Sequence, residues 1–403
     1  MLKYFFLLVL LYVFMFAPHF MLSNGELKTE YILTIMSFVV MVYNFKEYKE
    51  FLAVFKAELY FFMAVLFYAV LRSFAHGESG DNIEIIKHIL CFTNLFLVVP
   101  FLIFVTRKHH LNTERQVINA IFIVSTLAAF ISIMGAFYPP FDEYIRNYVM
   151  QYDEESYFMG NMSRGFGIAS GLTSYYGYIQ GTIVAMGIFY MKEIRWFLWF
   201  IPMVFFSALI NARTGVLFSL WGVIVYCLLS RRQNVLFVLI FTLLFVAYIA
   251  EIINALPLGD GTKTWILTFV EELNSVYSSG DVSSSSTASK LFGRMVVWPR
   301  DVAEWFIGRG YVLFRTSNST DVGWFLQLNY GGIFYLLLLY SAVGYMIKRL
   351  IANNFAMYAL FFLGALVITN TKSIFYPGYG LFPFLTFIYS VKIIYKQNQD
   401  LKY

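Results

Sequence analysis

Charged residues are scarce in this chain, and their scarcity restricts its structural class. Asp, Glu, Lys and Arg make up 13% of the 403 residues, whereas a soluble domain carries about 25%. Apolar residues reach 60% and aromatic residues 20%, which is opposite to the composition of disordered chains. The composition therefore excludes a typical water-soluble domain and an intrinsically disordered chain, and it indicates an integral membrane protein.

The residues of common metal and nucleotide sites are also rare. The two cysteines, Cys91 and Cys227, lie inside apolar runs, without the spacing of a zinc or redox site. No histidine follows His110, and the chain contains no P-loop, HExxH or GxSxG motif. We therefore expect neither a metal ion nor a cofactor.

Long apolar runs are abundant, and a helix needs about 20 such residues to cross the hydrocarbon core of a bilayer. Because lipid offers backbone groups no hydrogen-bond partners, we expect each run to be helical. The sequence thus predicts an all-α polytopic membrane protein with about twelve transmembrane helices. Their approximate ranges are 4–22, 30–44, 57–74, 85–106, 117–138, 165–191, 195–210, 213–230, 234–254, 322–347, 354–370 and 377–395.

The distribution of basic residues predicts the side that each turn faces. With the N-terminus inside, the short inner turns contain 16 of the 29 basic residues and only 6 of the 24 acidic ones. By the positive-inside rule, both termini are cytoplasmic, and in a bacterium the membrane is the inner one. Residues 1–254 then hold spans one to nine, residues 255–321 form a long periplasmic loop, and residues 322–403 hold spans ten to twelve and a cytoplasmic tail.

The long loop shows internal order in its sequence. Apolar residues at helical spacing from Trp265 to Val276 predict an amphipathic helix, which lies on the membrane surface or over a cavity, or simply packs on the spans. The Ser-rich segment 278–289 is typical of a flexible linker. A second helical stretch is predicted over about 290–306.

Eight of the fourteen arginines lie on the predicted outer face, against the positive-inside bias. Arg can bind phosphate or carboxylate through two parallel hydrogen bonds, so these arginines indicate an anionic ligand there. Alternatively, each pairs with one of the acidic residues of the same face. The eight are Arg72, Arg146, Arg164, Arg213, Arg294, Arg300, Arg309 and Arg315.

Two of these arginines lie where predicted spans begin. Arg213 lies among small residues in the turn 207–215, where an ionisable group is costly unless it has a partner or a function; the alternative is an interfacial Arg that extends to the headgroups. Arg164 precedes a span rich in glycine and hydroxyl groups. Tyr175 and Tyr176 in that span could contact sugar rings, although small residues also serve close helix packing.

A carboxylate is predicted near the outer start of the tenth span. Asp321 could accept a proton from a sugar hydroxyl, or it could cap the helix N-terminus together with Thr320. In the preceding loop, Arg294 and Arg300 flank the dipeptide Trp298-Pro299. The segment 294–321 therefore brings candidate acid–base and anion-binding residues close together in the sequence.

Several short motifs resemble those of one family of membrane enzymes. The twelve predicted spans, the long loop before the tenth, Arg164-Gly165-x-Gly167 and Asn211-Ala212-Arg213-Thr214-Gly215 resemble the O-antigen polymerase (Wzy-type) and O-antigen ligase superfamily. The segments 306–311, 320–323 and Tyr330-Gly331-Gly332-Ile333 resemble its Gly-x-Gly, Ser-Asp and Tyr/Gly-Gly pattern. Ligases of the superfamily resemble one another in a loop histidine, which this loop lacks, and this difference favours a polymerase.

The resemblance implies an inverting, metal-independent glycosyl transfer in a GT-C-like fold. The donor and the acceptor are glycans on undecaprenyl diphosphate, and the partners are the bilayer, with a chain-length regulator and a flippase, and no nucleic acid. The rival hypotheses are an O-antigen ligase that transfers glycan to lipid A-core, a glycosyltransferase of the peptidoglycan-polymerase kind, and a non-enzymatic lipid or glycan transporter. The implied roles are catalysis by Asp321 and Arg294, diphosphate binding by Arg164, Arg213, Arg294 and Arg300, and glycan binding by Tyr175, Tyr176 and Tyr330.

Overall fold

A computed structural model describes most of the chain, and helices dominate it. The described residues are 2–22, 25–75, 82–109, 111–149, 167–169, 173–230, 248, 250–281, 285–310, 320–377 and 380–400. The structure is about 82% helical. A two-stranded antiparallel hairpin pairs β1 (His19–Leu22) with β2 (Gly25–Lys28).

Seventeen α-helices are assigned within the described ranges. In chain order they are α1 (Leu2–Phe16), α2 (Thr29–Tyr43), α3 (Phe45–Val54), α4 (Lys56–Ala75), α5 (Asn82–Thr93), α6 (Val99–Lys108), α7 (Glu114–Phe137), α8 (Pro139–Tyr144), α9 (Thr173–Phe189), α10 (Ile201–Asn211), α11 (Arg213–Leu229), α12 (Asp260–Ser279), α13 (Ser286–Ser289), α14 (Val302–Ile307), α15 (Gly323–Ala352), α16 (Ala356–Asn370) and α17 (Leu381–Asp400). Short π-helices occupy Asn94–Val98, Ile145–Val149 and Lys290–Arg294, and a 3₁₀-helix occupies Arg195–Trp199.

Within the described ranges, four helical stretches are long and apolar enough to cross a membrane. They are Lys56–Phe74, Glu84–Lys108, Glu114–Phe137 and Gly323–Ala352. Shorter apolar helices lie at Tyr4–Phe16, Thr29–Tyr43, Ile201–Asn211, Arg213–Leu229 and Ala356–Asn370. The chain is therefore predominantly helical, with the apolar helices of a membrane protein. The predicted span 234–254 lies almost wholly outside the described residues.

The chain forms two compact units, and each joins separated stretches of the sequence. Unit 1 consists of Met1–Leu33 and Val105–Ser275. Unit 2 consists of Thr34–Phe104 and Val276–Tyr403. Each unit is therefore held together in part by contacts between residues that lie far apart in the sequence.

In unit 1, α9 and α11 pack with their backbones in contact. A Cβ placed on Gly181 would meet the carbonyl of Gly215, and a Cβ on Gly215 would meet the backbone of Gly177. Small residues allow helices to approach closely in a membrane, where association depends on van der Waals packing. This packing fixes the start of α11 against α9.

The first predicted span, 4–22, is too long. The helix α1 ends at Phe16, and the chain continues into the β1–β2 hairpin. Pro18 disfavours helical dihedrals at the residue before it, and Ala17 has a φ of 40°. The Thr29 hydroxyl donates to the Pro18 carbonyl over 2.8 Å, which closes the hairpin at its far end.

In unit 2, the predicted inner turn after Tyr43 is a helix, α3, and it supports a break in the next apolar stretch. Pro100 has no N–H to donate to the carbonyl of Phe96, and the helix there passes through the π-helix Asn94–Val98. The Tyr48 hydroxyl in α3 donates to that carbonyl over 2.8 Å. The Tyr48 side chain thus provides the hydrogen bond that the Phe96 carbonyl lacks because Pro100 has no N–H.

The long loop is helical in part. The predicted amphipathic helix is confirmed as α12. The second predicted helix over 290–306 is wrong as a continuous element, because the π-helix ends at Arg294 and α14 begins at Val302. Pro299 disfavours a helical residue before it, and the Asp301 carboxylate starts α14 by accepting from the backbone N–H of Glu304 over 2.9 Å.

Candidate functional site

In unit 1, Arg213 lies at an electropositive helix start. It is the first residue of α11, directly after the extended residue Ala212 that separates α10 from α11. The N-terminal turn of a helix carries partial positive charge, to which the guanidinium adds. Nη1 of Arg213 lies 3.6 Å from Oε2 of Glu272 in α12, and the two side chains are 15% and 17% exposed. Arg213 therefore pairs with an acidic residue, as the alternative interpretation expected, and the side of the membrane on which the pair lies stays a prediction.

Apolar contacts hold α12 over this turn. Ile266 of α12 is fully buried in a cluster with Leu209 and Ile210 of α10 and Val216 of α11. The loop helix is thus packed on the ends of neighbouring helices. Because the same helix presents Glu272 to Arg213, an anion that binds Arg213 must share the guanidinium with this carboxylate or displace it.

Buried polar side chains lie beside the same turn. Gln180 donates to the Tyr176 hydroxyl over 3.0 Å and accepts from the Ser125 hydroxyl. Asn211 donates to the Ser132 hydroxyl over 2.8 Å, and within the described ranges its Oδ1 has no hydrogen-bond partner. A polar side chain buried in an apolar helix destabilises the fold unless it forms hydrogen bonds. These hydrogen bonds therefore offset the cost of burying Gln180 and Asn211 in unit 1.

The predicted glycan-binding tyrosines of unit 1 differ in exposure. Tyr175 is half-buried and makes an edge contact with Tyr178, with ring centroids 6.1 Å apart. Tyr176 is 3% exposed and contributes its hydroxyl to the buried polar network. Arg164 lies outside the described residues.

In unit 2, a break in α15 allows two of the predicted motif segments to form hydrogen bonds with each other. Gly332 has a φ of 68° and interrupts the helix, so carbonyls in the preceding turn lose their helical donors. The loop 308–310 supplies new ones: Arg309 N donates to the Asn329 carbonyl over 2.5 Å, and Gly310 N to the Tyr330 carbonyl over 2.9 Å. The Gly-x-Gly and Tyr-Gly-Gly segments of the sequence are therefore in direct backbone contact.

The arginine of the Gly-x-Gly segment has a structural role. Arg309 is 4% exposed, its Nε donates to Glu304 Oε2 over 2.8 Å, and its Nη2 donates to the Trp298 carbonyl over 3.3 Å. Arg72 of α4 donates to the carbonyl of Gly308. Arg309 and Arg72 thus fix the loop 298–310 to the helices of unit 2.

The predicted catalytic residues lie in neighbouring segments of unit 2. Thr320 donates its hydroxyl to the Met295 carbonyl over 2.6 Å, and Asn329 donates to the Val297 carbonyl over 2.8 Å. Arg294 directly precedes Met295, and Asp321 directly follows Thr320, so these contacts bring the two backbones together. Both side chains are exposed.

The alternative role of Asp321 as a helix cap is wrong. The N-cap of α15 is Val322, and no side chain caps it. The Thr320 hydroxyl instead accepts from the Val322 N–H over 3.1 Å. Arg300 is exposed, and its backbone N–H donates to Glu304 over 2.6 Å.

Tyr330, the third predicted glycan-binding tyrosine, belongs to an aromatic cage around a buried histidine. His88 of α5 is 0% exposed, and its ring stacks on Tyr330 with centroids 5.3 Å apart. His88 Nδ1 lies 2.8 Å from the Glu84 carbonyl, and Nε2 lies 2.8 Å from the Tyr335 hydroxyl. Since a carbonyl only accepts, these contacts assign the proton of neutral His88 to Nδ1 and make Nε2 the acceptor from Tyr335.

The sequence analysis did not single out His88. Its signal was a titratable residue inside a predicted span, which by itself marks a functional or structural site. Tyr376 completes the cage with an edge contact at 5.5 Å from His88. The cage lies directly beside the break in α15, because Tyr330 and Tyr335 flank Gly332.

The described part of the chain contains no group of three or more His, Cys, Asp or Glu side chains that could hold a metal ion. A scan of the sequence against models of protein families finds no match, and a search of curated proteins finds none either. Arg213 in unit 1 and the segments around Arg294 and Asp321 in unit 2 are therefore the candidate sites, on the grounds of chemistry and geometry alone.

Proposed function

We propose that this protein is an O-antigen-type polysaccharide polymerase of the bacterial inner membrane. It joins undecaprenyl-diphosphate-linked oligosaccharide repeat units at the periplasmic face. The chain crosses the membrane about twelve times in a GT-C-like fold, with both termini in the cytoplasm. The acceptor sugar hydroxyl attacks the anomeric carbon of the donor with inversion, and undecaprenyl diphosphate leaves.

The observation that carries this proposal is the contact between the segments of Arg294 and Asp321. They are separated along the chain by α14 and the segment after it, and the hydrogen bond from Thr320 to Met295 joins their immediate neighbours. A carboxylate can accept the proton of an attacking hydroxyl. A guanidinium can bind a phosphate leaving group and stabilise the negative charge that develops on it. One exposed carboxylate and one exposed guanidinium in adjacent segments supply both requirements without a metal.

Arg213 supports the proposal from unit 1. Its guanidinium lies at a helix N-terminus, where an anion is stabilised by the partial charge of the helix. Glu272 approaches it to 3.6 Å, so this guanidinium already interacts with one oxyanion, and a phosphate would compete with that carboxylate. In the proposed function, Arg213 holds a lipid diphosphate and Glu272 yields its place to it.

The test is a polymerisation assay with purified protein and one undecaprenyl-diphosphate oligosaccharide, with and without a chelator. We expect a ladder of carrier-linked products that is insensitive to chelation. Asp321→Asn should lower the rate by at least about 100-fold, the usual effect of losing a positioned acid–base group. Arg294→Gln should lower it by about 100-fold or more, because a preorganised charge at the leaving group is lost.

Two matched variants control for the change in charge. Lys290 lies on the same π-helix as Arg294 and is also exposed, so Lys290→Gln should leave the ladder unchanged. Glu271 is an exposed carboxylate of α12, and Glu271→Gln should also be neutral. If Asp321→Asn and Arg294→Gln retain full polymer length, the proposed catalytic pair is wrong. When lipid A-core is added to the same assay, glycan transferred to it would identify a ligase, and absence of any product would favour the transporter.

A further inference from the structure

A polar cavity of about 290 Å³ lies at the start of α7 in unit 1. It is formed by the first turns of α7 and by the segment that connects α9 to the 3₁₀-helix. Three of the lining residues are basic and one is acidic. The residues that line it are Arg115, Asn119, Lys192, Glu193, Ile194, Arg195 and Trp196.

The wall of this cavity is fixed, and its cations point to an anionic ligand. Trp196 Nε1 donates to Asn119 Oδ1 over 2.7 Å, which holds the indole against α7. Arg115, Lys192 and Arg195 are exposed, and Glu193 is the single acid among the lining residues. Three cations and one acid line the same cavity, and because like charges repel one another, a bound anion would relieve the repulsion among the cations.

The position of the cavity matches the border of a bilayer. The helix α7 is long and apolar enough to cross a membrane, and Arg115 lies in its first turn. Next to the cavity, Leu198 and Trp199 of the 3₁₀-helix are 40% and 86% exposed. Exposed Trp at the end of an apolar helix is typical of the interfacial belt of membrane proteins. Basic side chains and exposed apolar side chains are therefore adjacent here, which is the combination expected at a headgroup layer.

We propose that this cavity binds the phosphate headgroup of an anionic phospholipid, with phosphatidylglycerol as the representative. Arg115, Lys192 and Arg195 bind the phosphate oxygens, and Trp199 packs among the acyl chains. Basic pockets between membrane helices recognise lipid headgroups in this way. The lipid site is independent of the polymerase function and uses none of its residues.

The test is native mass spectrometry of the purified full-length protein with phosphatidylglycerol or zwitterionic phosphatidylcholine. We expect the wild type to retain phosphatidylglycerol preferentially. The double variant Lys192→Gln/Arg195→Gln should bind it roughly 30-fold more weakly, from the usual contribution of a basic residue near an anionic lipid. Lys46→Gln/Lys49→Gln removes two exposed cations from α3 and serves as the matched control, with binding unchanged.

A second measurement uses only the wild type, so it does not depend on the folding of a variant. Hydrogen exchange of the protein in phosphatidylglycerol nanodiscs should be slower at residues 190–196 than in phosphatidylcholine nanodiscs. Equal retention of both lipids, equal exchange in both nanodiscs, or the same loss of binding in the α3 control would overturn the lipid site. Protection of 190–196 by inorganic phosphate alone, without lipid, would identify a soluble phosphate as the ligand and also refute it.

Discussion

The close packing of α9 on α11 leads to a quantitative prediction about two glycines. A Cβ on Gly181 would meet the backbone carbonyl of Gly215 and lie 3.0 Å from the Cβ of Phe218. A Cβ on Gly344, in α15, would have no heavy atom within 4 Å. Replacing Gly by Ala in a helix gains up to about 1 kcal/mol in helix propensity at either position. The difference between Gly181→Ala and Gly344→Ala therefore isolates the steric cost at the α9–α11 contact.

That cost should lie at the upper end of the range for overpacking. The first atom that the new methyl group meets is a backbone carbonyl, which cannot rotate away as a side chain can. Overpacking typically costs 1–3 kcal/mol, so we expect a difference of about 3 kcal/mol between the two variants. For a unit of about 200 residues, 1 kcal/mol shifts the melting temperature by roughly 2–4 °C, so the two midpoints should differ by roughly 6–12 °C.

The assay is thermal unfolding of the purified protein in one detergent, followed by tryptophan fluorescence and by loss of the monodisperse species. Gly344→Ala should melt at or slightly above the wild-type temperature, and Gly181→Ala should melt well below it. Equal midpoints for the two variants would refute the close backbone contact between α9 and α11. Equal midpoints would also show that packing against α9 does not fix the position of Arg213 at the start of α11.

Three further substitutions test the interior of unit 2, each by the same unfolding assay. Glu58→Ala should lower the free energy of unfolding by about 3–5 kcal/mol. It removes the carboxylate that lies 2.7 Å from Arg349, whose side chain is 17% exposed, and so leaves a largely buried charge without this partner. The control Glu47→Ala, at an exposed position of α3, should change the free energy of unfolding by less than about 0.5 kcal/mol. Gly332→Ala should cost at least about 1–3 kcal/mol because φ is 68° there, and wild-type stability would contradict the break in α15. His88→Phe should cost about 1–3 kcal/mol because the tyrosine hydroxyl that now donates to Nε2 loses its acceptor, and a neutral effect would show that the ring nitrogens contribute nothing.

The length of the apolar runs predicted many of the helices well, because a helix that crosses a bilayer needs apolar side chains along its whole length. The predicted spans 57–74, 117–138 and 213–230 correspond to α4, α7 and α11 within a few residues. Run length could not predict where a helix stops inside an apolar run. The end of α1 depends on Pro18, and the break in α15 depends on the dihedrals of Gly332, both of which are local backbone effects.

The candidate site was predictable only as a set of residue types. The sequence identified Arg213, Arg294 and Asp321 by charge and position, but their surroundings depend on long-range contacts. The pairing of Arg213 with Glu272 requires α12 to fold back on α11, and the approach of Arg294 to Asp321 requires the hydrogen bond from Thr320. The aromatic cage of His88 could not be predicted from the sequence, because its tyrosines come from α15 and from the segment after α16.

Burial and pairing determine how readily each candidate arginine can bind an anionic ligand. Arg309 is 4% exposed and bound to Glu304, whose side chain is 20% exposed, so recruiting Arg309 for a ligand would break this ion pair and the contacts that hold the guanidinium. Arg294 and Arg300 are exposed, so they can bind a phosphate without first breaking a buried ion pair. Arg213 is intermediate, since its distance of 3.6 Å to Glu272 is longer than that of a strong charge-assisted hydrogen bond. In unit 2, an anionic ligand should therefore bind Arg294 and Arg300 directly. In unit 1, an anion should bind Arg213 only in exchange for Glu272. Glu272→Gln should accordingly strengthen diphosphate binding, whereas Glu304→Gln should destabilise unit 2 without improving binding.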